Sequence, residues 1–219
     1  MLSFDHCRFL SRILIMNLFS FLSSPSLSCG PNAFYRWDPA SLSITLEAVR
    51  PIPAGSEITI PYIDCLQPRV DRRKQLKSLY HFDCYCQHCD VHWSEPNAVV
   101  QSDMNRRELL EFNNQTPTFE DWCESDAPDD ALIELHLRAL KIRVAEGLEL
   151  FQYKRHIDLI AMCYGALEDT KNFRCWIERA RNACAEGMPG YETEVMGKWI
   201  QDPRKFPVWG WRRSGPPTS

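Results

Sequence analysis

Cys84, Cys86 and Cys89 fall within one short segment, Phe82-Asp83-Cys84-Tyr85-Cys86-Gln87-His88-Cys89-Asp90, at C-x-C-x-x-C spacing. Thiolates so spaced are metal ligands, and a closed tetrahedral zinc site needs four donors. The trio therefore asks for a fourth. His88 and His92 are near in sequence, and a distant cysteine is the other source. A disulfide within the trio is the competing chemistry, although C-x-C is sterically awkward to bridge.

The chain has 219 residues, 44% of them hydrophobic and 11% aromatic, which suffices for one large domain or two small ones. A net charge of −4 provides no basic footprint for phosphate backbones, so direct nucleic-acid binding is not expected. Of ten cysteines, Cys7, Cys65, Cys123, Cys163, Cys175 and Cys184 are scattered, several on apolar helical faces where a free thiol acts as a small hydrophobe. That division favours an intracellular protein with a zinc site, nuclear and/or cytoplasmic, over a disulfide framework. One stretch points the other way. Arg8 and Arg12 precede an apolar run, Ile13–Leu22, and then small residues, the layout of a secretory signal. A secreted chain is thus the alternative. The run is too short to span a bilayer, and no membrane association is expected.

Positioning the trio falls to strands upstream and one helix. Residues 33–39 (AFYRWDP) and 43–49 (SITLEAV) are rich in β-formers and flank a turn at Asp38-Pro39-Ala40-Ser41. A Pro/Gly turn in RPIPAGSEITIPYID (50–64) precedes a β-branched run, Ile58-Thr59-Ile60. DRRKQLKSLYHF (71–82) reads as a basic helix with Leu76, Leu79 and Tyr80 on one side, running into the cysteines. Residues 94–130, broken by Pro and Asn and acidic toward the end, read as a linker around one helix near Arg106–Phe112. From 131 the period is helical: Leu137, Leu140, Val144, Leu148 and Phe151; Ile157, Ile160, Ala161, Tyr164 and Leu167; Phe173, Trp176, Ile177, Ala180 and Ala183, stopped by Gly187 and Pro189. The last two helices, joined at Asp169-Thr170, make a hairpin the size of one tetratricopeptide-type repeat, with a plain bundle as the alternative. The tail, 201–219, reads as irregular.

Three segments follow one another across roughly 65 residues: Ser28-Cys29-Gly30-Pro31-Asn32, Gly55-Ser56-Glu57-Ile58-Thr59-Ile60-Pro61-Tyr62, and Tyr80-His81-Phe82 leading into the trio. In order and spacing they resemble the C-terminal half of a SET domain and its post-SET zinc site, in the arrangement of the MYND-associated SET proteins. The resemblance implies an α+β chain: a partial SET β-fold (28–64), a post-SET zinc-binding segment (65–93), the acidic linker (94–130), a mainly α-helical region (131–200) and the tail. It implies Cys29 as the fourth zinc ligand beside Cys84, Cys86 and Cys89, in a structural site. It further implies a protein-lysine methyltransferase using S-adenosylmethionine, with Tyr62 as catalytic tyrosine. Tyr80 and Phe82 would cover the cofactor, Asn32 would lie beside it, and the substrate would be a histone or another lysine-bearing protein.

The chain departs from that pattern at Ser26 and Leu27, where the family has a cofactor-contacting Asn-His pair; leucine offers no hydrogen bond. Upstream strands and a MYND finger are not recognisable either. Residues 1–27 are accordingly expected to be foreign to the fold, as in a truncated product carrying translated intron, with a signal peptide or a divergent strand as alternatives. Two functions follow: a methyltransferase, or a non-catalytic, zinc-stabilised protein-interaction module.

Overall fold

The computed structural model describes residues 14–17, 26–39, 41–90, 96–149, 152–185 and 191–215. Cys7, His92, Phe151, Gly187, Pro189 and the apolar leader apart from residues 14–17 and 26–27 lie outside them. The chain is mixed and mostly helical, with eight α-helices and five short strands among the described residues. It divides into two compact units, Met1–Leu110 with Val144–Leu150, and Glu111–Arg143 with Phe151–Ser219.

In the first unit, alternation along Ser43-Ile44-Thr45-Leu46-Glu47-Ala48 turns Ile44 and Leu46 to one face, where both are buried. This strand, β4 (Ser43–Ala48), pairs antiparallel with β3 (Ala33–Asp38) on one side and β1 (Leu14–Asn17) on the other. Arg36 reaches diagonally across β3 and β4 to Glu47 at 2.8 Å. A second, parallel pair joins β2 (Ser26–Leu27) to β5 (Thr59–Ile60), and buried Ile60 packs with Ala33 and Leu46. Six residues of the 1–27 stretch therefore sit in these sheets.

Helix α1 (Arg69–Tyr80) buries Leu76 and Arg72, four residues apart on one face. It stops at His81, which takes a left-handed conformation (φ 52°) and sends its N–H to the Leu76 carbonyl. The chain then turns back into the cysteine segment. Helix α2 (Pro96–Gln115) is longer than the helix expected near Arg106–Phe112. Its buried face in this unit comprises Val99, Ser102, Arg106 and Leu109, so two of four inward positions are polar and the hydrophobic period is faint.

The second unit holds helix α3 (Phe119–Glu124), started by a capping box between Thr118 and Asp121, and most of helix α4 (Ala131–Glu146). Helices α5 (Tyr153–Ala166) and α6 (Thr170–Ala185) pack against each other, burying Ile157, Ile160, Ala161, Phe173, Ile177 and Ala180. Helix α7 (Tyr191–Gln201) packs beside α6. The tail is more ordered than its Pro and Gly content suggests: a 3-10 turn (Pro203–Lys205) and helix α8 (Trp211–Ser214) fold back on the core. Phe206 lies 4.9 Å from Phe173 ring to ring, and a Cβ on Gly165 would fall 2.8 Å from the Phe206 ring, so only glycine admits this contact. No helix among the described residues is long and apolar enough to cross a membrane.

On α4 the apolar stripe is shifted from the one read off Leu137, Leu140 and Val144. Leu132, Ile133, His136, Ala139, Leu140 and Arg143 face inward, while Val144 is exposed. Arg143 tolerates burial because its Nε donates to His156 Nε2 at 2.9 Å and its Nη2 to Gln152 Oε1 at 3.4 Å. Arginine can only donate, so His156 carries its proton on Nδ1 and gives it to His136 Nδ1, 2.9 Å away. Burial holds both imidazoles neutral, His136 down to about 4 and His156 down to about 3, with nearby arginines adding to the effect.

Both histidines are depressed in the folded state, so the unfolded chain protonates first as pH falls below about 6.5. Stability of this unit is expected to drop by up to about 1.4 kcal/mol per pH unit per histidine between about 6.5 and 4. Denaturant unfolding at pH 7 and pH 5 checks this; equal midpoints would contradict it.

Candidate metal centre

Cys29 sits in the loop after β2, held by its neighbours rather than by a regular element. Asn32, three residues on, uses both ends of its amide on the backbone beside β5: Nδ2 donates to Glu57 O at 2.8 Å and Oδ1 accepts from Thr59 N at 2.8 Å. Gly30 permits a close approach, since a Cβ there would meet the His88 ring at 2.8 Å. From the other direction, the left-handed turn at His81 delivers Cys84, Cys86 and Cys89, and Cys89 N–H bonds Cys86 O at 2.8 Å.

The four Sγ atoms converge within 4.8 Å of one another. Cys29 and Cys84 are 3.8 Å apart and Cys89 and Cys29 3.4 Å, and all four are free thiols. Sulfurs sharing one tetrahedral zinc at about 2.3 Å stand about 3.8 Å from each other, so this set has the spacing of a metal cage and not of a disulfide. Cys29, Cys84 and Cys89 are fully buried. Hydrogen bonds from Cys29, Cys84 and Cys89 pull the Cys86 thiol far below the ordinary range, and those to Cys84, Cys86 and Cys89 push Cys29 up. Cys84 is lowered to about 7, chiefly by its bond with Cys29. A bound cation would favour the thiolate form of all four.

His88 is not in the sulfur set. Its ring nitrogens face Gln87 Nε2 at 3.2 Å, Ser102 Oγ at 3.5 Å and Glu146 Oε2 at 3.3 Å. Around it lies a buried polar network that hydrophobic patterning does not reveal. Glu146 accepts from Ser102 Oγ at 2.5 Å, Asn105 Nδ2 at 2.8 Å and Arg106 Nε at 3.1 Å. Arg106 also donates to Cys29 O at 3.0 Å and to Cys65 O, so one guanidinium ties the carbonyl of a candidate ligand to a distant helix end. Arg50 adds Gly30 O at 2.9 Å and Glu149 at 3.3 Å. Cys65 is buried outside the cluster, and burial raises it to about 11.

Tyr62, just beyond β5, stacks on Tyr80 with ring centroids 5.3 Å apart, and Tyr80 Oη donates to Tyr62 O at 3.4 Å. Both remain substantially exposed. Burial, then Tyr35 and Tyr80, raise the Tyr62 phenol, which keeps it a proton donor. Phe82 packs against the thiol cluster.

No family model matches the chain. It is 33% identical over 134 residues to the histone-lysine N-methyltransferase set5 of Schizosaccharomyces pombe, covering 61% of this chain and 38% of that protein. It is 32% identical over 109 residues to the histone-lysine N-methyltransferase SMYD3 of Mus musculus, covering 50% and 25%. Against Smyd1 of Mus musculus the identity is 48% over 81 residues, covering 34% and 16%. These relatives are SET-domain lysine methyltransferases. Each covers part of the chain, in keeping with a partial SET domain of the MYND-associated type, and the matches span 38% of the relatives' own length at most.

Replacing Arg106 by methionine strands the buried Glu146 carboxylate without its guanidinium and should cost about 3–5 kcal/mol in the first unit. Adding Glu146→Leu should recover part of that loss, because both charges are then gone. Denaturant unfolding of the two variants checks the order; a single variant as stable as the parent contradicts it.

Proposed function

We propose that the chain is the C-terminal part of a SET-type protein-lysine methyltransferase fold, closed by a structural zinc held by Cys29, Cys84, Cys86 and Cys89. The single observation that carries this is the convergence of four free thiols, drawn from two segments more than fifty residues apart, on one buried point. The donor set suits zinc: four soft sulfurs within 4.8 Å of one another, three of them buried and that of Cys86 partly exposed. A tetrathiolate site leaves no open coordination position, so its role is to pin the cysteine segment to the loop after β2. The substrate is a lysine-bearing protein, as the relatives' names indicate for histones. Tyr62 is the residue assigned to the reaction, its hydroxyl orienting the amine, with Tyr80 stacked behind it.

S-adenosylmethionine is the methyl donor this lineage implies, but the residues present do not form its full site. Asn32 has both amide atoms committed to backbone groups, and Leu27 stands where a hydrogen-bonding side chain is needed. Those two facts favour a second function for the chain by itself: a zinc-stabilised module that binds a protein partner without catalysis.

The purified chain should contain one zinc, and Cys29→Ser should weaken its retention at least tenfold. Calorimetric titration with S-adenosylmethionine separates the two functions: binding heat supports the enzyme, none supports the module. A chain that purifies without zinc and with disulfides among Cys84, Cys86 and Cys89 overturns both.

A further inference from the structure

Among the described residues of the first unit two arginines are wholly buried, and their circumstances differ. Arg106 has a buried carboxylate, Glu146, in direct contact at 3.1 Å. Arg72, on α1, has no such partner among the described residues. Its nearest carboxylate is Asp103 at 3.6 Å, a group 31% exposed whose same oxygen already accepts the Arg69 N–H at 2.8 Å. Arg72 Nη1 donates to Gln67 O at 2.5 Å, and Nη2 to His88 O at 3.3 Å and to Cys89 Sγ at 3.9 Å. Its Nε finds no acceptor. A guanidinium stripped of water costs several kcal/mol unless an anion faces it, and two carbonyls with a half-wet carboxylate are a poor substitute.

Neutral thiols would leave that charge uncompensated. Four thiolates around a divalent zinc carry a net formal charge of −2, itself expensive where three of the four sulfurs are buried. The two costs cancel if the groups face one another, and Cys89 Sγ is where they meet. We infer that Arg72 is the counter-cation of the thiolate centre, a positioning residue that holds Cys89 Sγ by an N–H···S bond and slows release of the metal. The inference rests on the zinc reading above. It assigns to α1 a task besides carrying Leu76 into the core: the same helical face delivers the charge that the cluster needs.

The test uses the full chain loaded with zinc, and separately with cobalt(II), which shows sulfur-to-metal charge transfer. Parent, Arg72→Lys, Arg72→Met and, as a buried control outside the cluster, Cys65→Ser are compared. Outer partners of metal ligands are worth 10–100-fold in affinity. Arg72→Met should therefore release zinc to a chromogenic chelator at least tenfold faster than the parent, Arg72→Lys by an intermediate factor, and Cys65→Ser within twofold. In the cobalt form, loss of the N–H···S bond makes the Cys89 thiolate a stronger donor, so the charge-transfer band should move to lower energy while the d–d bands of a tetrahedral S4 site stay in place. Should Arg72→Met fail to fold, the Lys variant decides, since it keeps the charge but not the fork. Parent-like release and an unmoved band in the variants overturn the role of Arg72 while leaving the zinc site intact. A parent chain that binds neither metal overturns the site itself.

Discussion

Cys29 lies 55 residues before Cys84 and 60 before Cys89, yet their sulfurs meet at a single buried point. Bringing distant segments together costs loop entropy that grows only slowly with length, so one strong cross-link is more effective than many weak contacts over such a span. The apolar clusters nearby among the described residues are small. Leu76, Ile63 and Phe82 pack around the cysteines, and Ala33, Leu46 and Ile60 form a second small cluster under the strands. Neither is a large core. On the zinc proposal, four sulfurs around one cation would add closure to these clusters.

The polar surroundings follow from that closure. A loop that must present a ligand cannot also be a helix or strand, so its carbonyls need partners from elsewhere. Arg106 satisfies Cys29 O and Cys65 O, Arg50 satisfies Gly30 O, and Arg72 satisfies His88 O. Three arginines thus take the place of regular backbone pairing around the cluster. Glu146 balances one of them, and Glu149 another. The same device recurs in the second unit, where Arg212 donates to the carbonyls of Trp122, Ser125 and Ala127 while its guanidinium lies 4.4 Å over the Trp122 ring.

How much of this was legible in the sequence depended on whether a signal was local. C-x-C-x-x-C is legible as a candidate metal set because its spacing brings the thiols together, and the β4 and α6 patterns are legible because their inward positions are apolar. On α2 and α4 the inward faces carry Ser102, Arg106, His136 and Arg143, so hydrophobic periodicity described one as a linker with a short helix and placed the other a residue out of phase. Those polar residues are tolerated inside only because their partners, Glu146 and His156, come from other parts of the chain, and no local pattern reports that. A charged residue in step with an apolar stripe, as Arg72 is with Leu76, was the available hint. The order of the tail is not visible locally for a related reason: Phe206 finds its place through Gly165, some forty residues earlier.

X-ray absorption at the zinc edge counts the ligand atoms of the cysteine cluster and measures their distances in the intact chain. A zinc held by Cys29, Cys84, Cys86 and Cys89 gives a single shell of four sulfurs at about 2.3 Å. A shell containing nitrogen or oxygen at about 2.0–2.1 Å, or a protein with no bound metal, would contradict it.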